Sequence, residues 1–343
     1  MTLVLDNIIF GLQRFGGIST YWSRLVEHAT RERPDTAWVM PRDITFAGQL
    51  TALPSTVRRQ GLPNRVARYL SCPLPTDGTV FHSSYYRLPA RRVRRLVTTV
   101  HDFTYERYRK GLPLFVHRRE KQLSIAAADV VVCVSQSTRN DLLNHFPKID
   151  SSKVIVIPLA VDATMFSPRH GSSNEAVQPY ALYVGQRGGY KRFDLAVAAV
   201  ARSDDIALGI VGPPLNPDER QLLAEQLGTR WIEFGPVDNA RLGQLYRGAE
   251  MFLFPSDYEG FGLPILEAMS CDCPVVAADR SSFPEVAGDA ALLVAEQNAY
   301  AYADAIATVR ETGQRAALVA AGRRQVTRFS WEKTLAATMT CYS

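Results

Sequence analysis

Short runs of apolar and β-branched residues alternate along the chain with longer stretches of helical periodicity. In the first half the runs are Thr2 to Leu5, Ala37 to Met40, Thr79 to His82, Leu96 to Val100, Val130 to Val134 and Val154 to Ile157. In the second they are Tyr180 to Val184, Ile206 to Val211, Trp231 to Phe234, Met251 to Phe254, Pro274 to Ala278 and Ala291 to Val294. Runs of this length predict buried strands, and the intervening patterns predict helical crossovers, so the fold class is α/β with parallel sheets and right-handed connections. Apolar content almost vanishes from Pro168 through Pro179, a stretch holding His170, Gly171, Ser172, Ser173 and Asn174, which reads as a linker between two doubly wound, Rossmann-like domains. Past Gly322 the pattern is helical again, and Phe329-Ser330-Trp331 opens a last amphipathic segment with Ser330 as its expected N-cap. Ligands of open parallel sheets bind beyond the carboxyl ends of the strands, so two such domains facing each other predict a cleft between them.

The most informative chemistry follows the run Met251 to Phe254. Residues Glu259 to Glu267 read E-G-F-G-L-P-I-L-E, a glycine turn with a carboxylate at each end. Pro255 closes the strand, and Pro264 has the fixed φ that suits a first helical position. Gly260 and Gly262 strip side chains from the turn, so backbone N–H groups and the helix dipole can hold a phosphate. A carboxylate repels phosphate unless it faces something neutral, so sugar or ribose hydroxyls are the natural partners of Glu259 and Glu267.

Three further pieces fall at strand ends. Phe15-Gly16-Gly17-Ile18-Ser19 separates the first strand from a helix and reads as a second glycine turn with a capping Ser. His101, followed by Asp102, comes directly after Leu96 to Val100, at a carboxyl end where ligands sit. Gly185-Gln186-Arg187-Gly188-Gly189-Tyr190-Lys191 follows Tyr180 to Val184, and its two cations are what a departing pyrophosphate needs. The spacing is not that of a Walker loop, and no G-x-G-x-x-G follows the first strand, which counts against a nicotinamide enzyme.

Composition narrows the setting. The 343 residues, 46% hydrophobic and 21% charged, suit a globular protein of two domains. No apolar run reaches the roughly 18 residues of a membrane span, and no charged start precedes a long apolar segment, so a cytoplasmic protein is expected. Five cysteines, Cys72, Cys133, Cys271, Cys273 and Cys341, form no C-x-x-C pair and are expected as reduced thiols. Charge is divided unevenly. Residues 1 to 160 hold 23 Lys and Arg against 12 Asp and Glu, a net of +11, and the remainder holds 16 against 22, a net of −6. Arg91, Arg92, Arg94 and Arg95, with Arg107, Arg109, Lys110, Arg118, Arg119 and Lys121, make the first half a basic body that attracts anionic lipid headgroups, lipid-linked pyrophosphates or nucleic acid. Nucleic-acid binding would need exposed aromatics interleaved with the charge or a known reader motif, and neither is evident.

Taken together these motifs resemble the retaining glycosyltransferases of family 4. The likeness runs through G-G-I-S at Gly16 to Ser19, T-V-H-D at Thr99 to Asp102, S-x-S-T at Ser135 to Thr138, P-x-x-V-D at Pro158 to Asp162, the Gly185 to Lys191 turn, and P-S-x-x-E-G-F-G-L-P-x-x-E-A at Pro255 to Ala268. It covers essentially the whole chain. The resemblance implies the GT-B fold, with an acceptor-binding domain at 1–165, a nucleotide-sugar-binding domain at 176–329, and a C-terminal helix at 330–343 that packs back on the first. It implies that Glu267 binds the donor ribose and that Glu259 sits by the transferred sugar. By the same resemblance Phe261, Gly262 and Leu263 present their backbone to the sugar hydroxyls and the diphosphate. Arg187 and Lys191 neutralise the leaving group, His101 contacts the sugar, and Gly17 approaches the phosphates. Leu159-Ala160 stands where the family often has Asn-Gly, so the backbone there is expected to differ.

The function expected is a hexosyltransferase of the cytoplasm, peripheral at the inner face of the membrane, that builds a surface polysaccharide such as lipopolysaccharide. Its substrates would be a nucleotide sugar and a saccharide or lipid-linked acceptor. GDP-mannose is the first expectation, from likeness of the Tyr183 to Lys191 stretch to mannosyltransferases, with a UDP-hexose as the alternative. A nucleotide-sugar epimerase or a phosphorylase on the same fold is a further alternative. No D-x-D stands where the diphosphate should lie, so neither a metal nor another cofactor is expected.

Overall fold

The structure is a computed structural model that describes residues 2–14, 16–46, 48, 50–51, 54–77, 79–168 and 178–343. Most of the expected linker, at 169–177, and Phe15 of the first glycine turn lie outside the described residues. The chain forms two compact units, Met1–Leu159 with Trp331–Ser343, and Ala160–Ser330.

The first unit is built on a seven-stranded parallel sheet. Its strands are β1 (Leu3–Asp6), β2 (Ala37–Met40), β3 (Thr56–Arg59), β4 (Val80–Ser83), β5 (Arg95–Val100), β6 (Val130–Cys133) and β7 (Val154–Val156), in the spatial order β3-β2-β1-β4-β5-β6-β7. Six of these match the apolar runs to within a residue or so at each end. β3 was not expected, because T-V-R-R contains no apolar run. All four of its residues are exposed, and it is an edge strand, where charged side chains discourage further pairing. The second unit holds β8 (Tyr180–Val184), β9 (Ala207–Val211), β10 (Trp231–Gly235), β11 (Met251–Phe254), β12 (Val275–Ala278) and β13 (Ala291–Val294), in the order β10-β9-β8-β11-β12-β13. Both sheets are the doubly wound α/β class that the sequence predicted.

In each sheet the order reverses beside the unit's first strand, between β1 and β4 and between β8 and β11. Crevices outside the carboxyl ends of strands at such a reversal are where ligands bind in this class of fold. Pairing of Met251 with Ala181 and of Phe252 with Leu182 sets β8 and β11 side by side, so the loops that follow them emerge together. Packing fixes that register from below. The helix Phe193–Ala201 buries Phe193, Leu195, Val197 and Val200 in a core with Leu208, Ile210 and Leu253. Each such side chain contributes about 1.5–3 kcal/mol on burial, so Val197→Asp would break the platform under the loop.

The C-terminal helix Trp331–Thr340 belongs to the first unit. Trp331 stacks on Tyr21 at 6.5 Å, Arg95 donates from Nε to the Cys341 carbonyl at 2.7 Å, and the Tyr342 hydroxyl meets His82 Nδ1 at 2.7 Å. His82 is fully buried inside β4, its Nε2 bonded to Thr99 Oγ1 at 2.9 Å, and burial, with His101 nearby, holds its imidazole down to about 3. All five cysteines are buried and unpaired. No helix among the described residues is long and apolar enough to cross a membrane.

Candidate functional site

The loops that leave β8 and β11 are stitched to each other at the switch point of the second sheet. Asp257 N donates to the Tyr190 carbonyl at 2.7 Å, and Ser256 Oγ reaches the same oxygen at 3.3 Å. Lys191 Nζ pairs with Glu259 Oε1, which also accepts from Ser256 Oγ at 3.1 Å. The side chains of Lys191 and Glu259 are 17% and 20% exposed, so the pair is shielded yet open to an arriving ligand. Lys191 also lies 5.8 Å from the centre of the Phe254 ring, an apolar surface that lowers the local dielectric.

A third loop holds the Glu259 backbone in place. Following β12, Ser281 Oγ donates to the Glu259 carbonyl at 2.5 Å and accepts from Glu259 N at 3.3 Å. Ser282 Oγ donates to the Glu259 carbonyl at 3.0 Å and to that of Phe261 at 2.8 Å. Ser256 belongs to the P-S-x-x-E motif but carries no expected role of its own, and Ser281 and Ser282 are not expected at all, although they stand just past a predicted strand's carboxyl end. Phe261 is buried edge-on against Phe329 at 5.8 Å. Gly262 turns the chain into the helix Leu263–Ser270 at φ 96°, and a Cβ there would lie 3.2 Å from the Phe283 ring. Any other residue would be strained at that φ and crowded as well. Pro264 is the second helical residue rather than the first. Pro264 has no N–H and Ile265 N donates to the Gly262 carbonyl at 3.0 Å, so the amides of Gly262 and Leu263, at the positive end of the helix dipole, are the ones that can hold an anion.

Glu267 lies one turn along the same helix. Its Oε2 accepts from Tyr246 Oη at 3.3 Å, on the neighbouring helix Asn239–Gly248. Desolvation pushes the carboxyl up to about 7, the Tyr246 hydroxyl opposing it. Such a group shares hydrogen bonds with neutral hydroxyls at little electrostatic cost and repels phosphate once ionised.

Arg187 is placed on the other flank of the β8 loop. Its guanidinium meets Glu219 at 3.0 Å, at the start of the helix Pro217–Leu227, and donates to the Pro214 carbonyl at 2.9 Å. Gly212, at φ 157°, lets that close approach occur, since a Cβ there would stand 2.3 Å from the Gly185 carbonyl and 3.1 Å from Arg187 Nη1. The two cations of the turn therefore serve different neighbours, Arg187 toward β9 and Lys191 toward β11.

His101 and Gly17 belong to the first unit. His101 directly follows β5, is 9% exposed, and packs edge-on to Tyr21 at 5.5 Å. Burial, with Lys121 adding to it and Asp102 opposing, lowers its imidazole to about 4, so it is neutral near pH 7. A neutral imidazole can donate to or accept from a hydroxyl without charge. The loop beyond it is tied down by Lys121 Nζ, which donates to the Asp102 carbonyl at 2.9 Å. Gly17 is the first residue of the helix Gly17–Glu32 and not a turn residue. Ser19 does not cap that helix. Its hydroxyl donates back to the Gly16 carbonyl at 2.9 Å, and its amide is accepted by Gln13 Oε1 at 3.1 Å. A side chain upstream of the glycines thus does the capping, because the helix starts at Gly17, three residues earlier than a Ser19 cap requires. Among the described residues no group of three or more His, Cys, Asp or Glu gathers with metal-holding geometry.

The second unit thus brings together Lys191, Glu259, the Phe261 to Leu263 turn and Glu267. Comparison with known proteins adds independent evidence. The family model described as Glycosyltransferase Family 4 matches residues 15–164, and the one described as Glycosyl transferases group 1 matches residues 169–325. An O-antigen chain mannosyltransferase B of Escherichia coli is 32% identical over 286 residues, which span 77% of this chain and 74% of that protein. Among solved structures, sucrose-phosphate synthase from Thermosynechococcus elongatus superposes with a TM-score of 0.79 at 20% identity, over 99% of this chain and 98% of that one. Anabaena HepE, solved in complex with UDP-glucose, gives 0.74 at 18% identity over 99% of each chain. At these identities the two structures are evidence of fold alone.

Proposed function

The chain belongs to glycosyltransferase family 4, and from that premise we propose that it transfers a hexose with retention from a nucleotide diphosphate sugar to a saccharide or lipid-linked acceptor in surface polysaccharide synthesis. The observation that carries the reading is the shielded Lys191–Glu259 pair beside a helix N-terminus, with Glu267 one turn further along. In this reading the amides of Gly262 and Leu263 and the Lys191 ammonium take the charge that develops on the leaving diphosphate. Glu267 accepts from ribose hydroxyls, and Glu259, bonded to Lys191 and Ser256, orients a hydroxyl of the transferred sugar. His101, neutral at working pH, contacts the sugar, and Gly17 the phosphates. Arg187 acts at longer range or after leaving Glu219.

GDP-mannose is the donor favoured by the mannosyltransferase relative. A UDP-hexose is the second reading, favoured by the UDP-glucose complex of a protein with the same fold. Thermal melting of the whole chain against a panel of nucleotide sugars tests both, since a bound donor raises Tm selectively. Stabilisation by GDP-mannose and not by UDP-glucose would establish the first donor. Absence of any shift, with no transfer of labelled sugar, would remove the assignment.

The acceptor side carries a membrane expectation as well. Leu112 and Phe115 stand 72% and 64% exposed on the helix Gly111–Ala127, near Arg109, Lys110, Arg118 and Arg119. Apolar side chains ringed by cations suit peripheral contact with an anionic bilayer. Cosedimentation with vesicles of anionic against neutral lipid tests this, and steep salt-dependent binding to DNA instead would favour a nucleic-acid partner.

A further inference from the structure

The helix Gly111–Ala127 turns His117, Lys121, Ser124 and Ile125 to the interior, at the spacing of a single helical face. Such a face is ordinarily apolar, yet the centre of this one is an ammonium whose side chain is 0% exposed. Ser124 fixes the helix against β5, its Oγ 2.8 Å from Thr98 Oγ1. Lys121, about one turn nearer the helix start, therefore lies over the carboxyl end of β5, where His101 and Asp102 follow. Its Nζ donates to the Asp102 carbonyl at 2.9 Å and to Glu106 Oε2 at 2.8 Å. The same ammonium stands 4.3 Å from the centre of the Phe103 ring and 5.5 Å from that of Tyr86.

An interior ion pair is costly to desolvate, and well-packed apolar side chains of similar volume often replace one with no loss of stability. What the ammonium adds is two bonds to one segment. Asp102 accepts from the Thr104 amide through Oδ1 at 3.0 Å and so opens the short helix Thr104–Tyr108, in which Glu106 lies. Lys121 thus grips this segment both at its start and within its helix. A second clamp, Arg107 to Asp141 at 2.6 Å, ties the same short helix to the helix Gln136–His145. The groups that act on the His101 ring come from four directions. Tyr21 packs edge-on from the helix Gly17–Glu32, His82 lies inside β4, Asp102 is the next residue, and Lys121 comes from the helix Gly111–Ala127. Of these Lys121 brings a positive charge, which opposes uptake of a second proton by the imidazole.

We propose that Lys121 is a positioning residue for His101, holding the backbone beside it through the Asp102 carbonyl and keeping a fixed cation next to a ring that must stay neutral. As the diphosphate leaves, positive charge develops on the transferred sugar, and an imidazolium beside it would raise the barrier. A neutral imidazole in fixed orientation shares a hydrogen bond with a sugar hydroxyl without that penalty. This consequence rests on the transferase reading, in which His101 contacts the sugar. The coupling of Lys121 to His101 does not.

The test is NMR titration of the histidine rings in the full chain, with His101 identified by the signal lost in His101→Gln, alongside the pH profile of kcat/KM for transfer. Two variants remove the cation: Lys121→Met, and Lys121→Met combined with Glu106→Gln, which also removes the carboxylate that the first would strand. In both, His101 is expected to take up its proton about one pH unit higher than in the parent, and the acid limb of kcat/KM to move up with it. Arg107→Gln cuts the other clamp on the same segment without removing that charge, so His101 is expected to titrate there as in the parent. The proposal is overturned if both Lys121 variants titrate as the parent does, if Arg107→Gln moves the ring as far, or if, in an active enzyme, the ring moves and the acid limb does not. A shifted ring in a chain whose parent form transfers no sugar would uphold the coupling and remove the transferase reading instead.

Discussion

In the first unit Asp6 and Arg87 meet at 2.9 Å with side chains 0% and 1% exposed, whereas in the second the Lys191–Glu259 pair keeps nearly a fifth of each side chain open. Both pairs stand at the switch point of a sheet with the same winding. The buried one is fully committed. Arg87 also donates to the Leu70 and Ser71 carbonyls and Asp6 accepts from Ser83 Oγ, so it fixes the loop beyond β4. Burial raises the Asp6 carboxyl, with Arg87 opposing. The half-open pair can exchange partners when a ligand arrives, because water compensates part of what each ion loses. Surfaces differ in the opposite sense. Exposed large apolar side chains among the described residues concentrate in the first unit, against only Met165 and Tyr300 in the second. One unit spends its charge on architecture and offers apolar surface, and the other keeps its charge available for chemistry.

The sharpest way to break this comparison is Asp6→Ala, which strands Arg87 in the interior. It should cost about 3–5 kcal/mol in urea unfolding, and a loss below about 1 kcal/mol would show the pair to be dispensable. Lys191→Ala should leave melting nearly unchanged and lower turnover by about a hundredfold. Full activity in that variant would detach the pair from the chemistry.

Acid and base sharpen the contrast, since the buried histidines of the first unit and Glu267 of the second respond with opposite sign. His101 and His82 have folded values depressed to about 4 and about 3 from the usual 6.5. Below pH 6.5 the unfolded chain takes up protons that the native imidazoles refuse, so the stability they contribute is present above 6.5 and lost as pH falls toward 4 and 3. Glu267 is raised from 4.5 to about 7, so its contribution is present below 4.5 and lost as pH rises through 7. Glu267→Gln should therefore remove a loss of about 2 kcal/mol between pH 5 and 8, read as a flatter melting profile than the parent's. Parallel profiles would refute it. The smallest effect is expected of Glu219→Ala, which releases Arg187 and removes a capping-box partner of Asn216, at about 1 kcal/mol by thermal melting.

Strand positions were legible because each buried strand of a parallel sheet is a short unbroken apolar run. β3 escaped because an exposed edge needs no such run. The acidic turn at Glu259 to Glu267 was legible for a similar reason, its glycines, proline and carboxylates being local. What joins it to the rest was not. Pairing of Lys191 with Glu259 spans 68 positions and that of Glu259 with Ser281 spans 22, and both follow from the placing of β8, β11 and β12 side by side. Arg187 and Lys191 looked equivalent in sequence, yet β8 has a neighbour on each side and the two cations turn to different ones. Ser19 misled because a serine near a helix start reads as a cap whichever residue the helix begins on. His82 lay unnoticed inside an apolar run, where a histidine breaks the pattern too little to stand out.

The hydrogen bonds of Tyr342 and Cys341 to His82 and Arg95 make the second unit an insertion within the first. A ribosome releases the chain from its N-terminal end, so the inserted sheet can be finished while the earlier one still lacks its closing segment. Until Trp331 and Tyr342 emerge, Tyr21 and His82 each lack one of their partners, and the half made first is the half completed later.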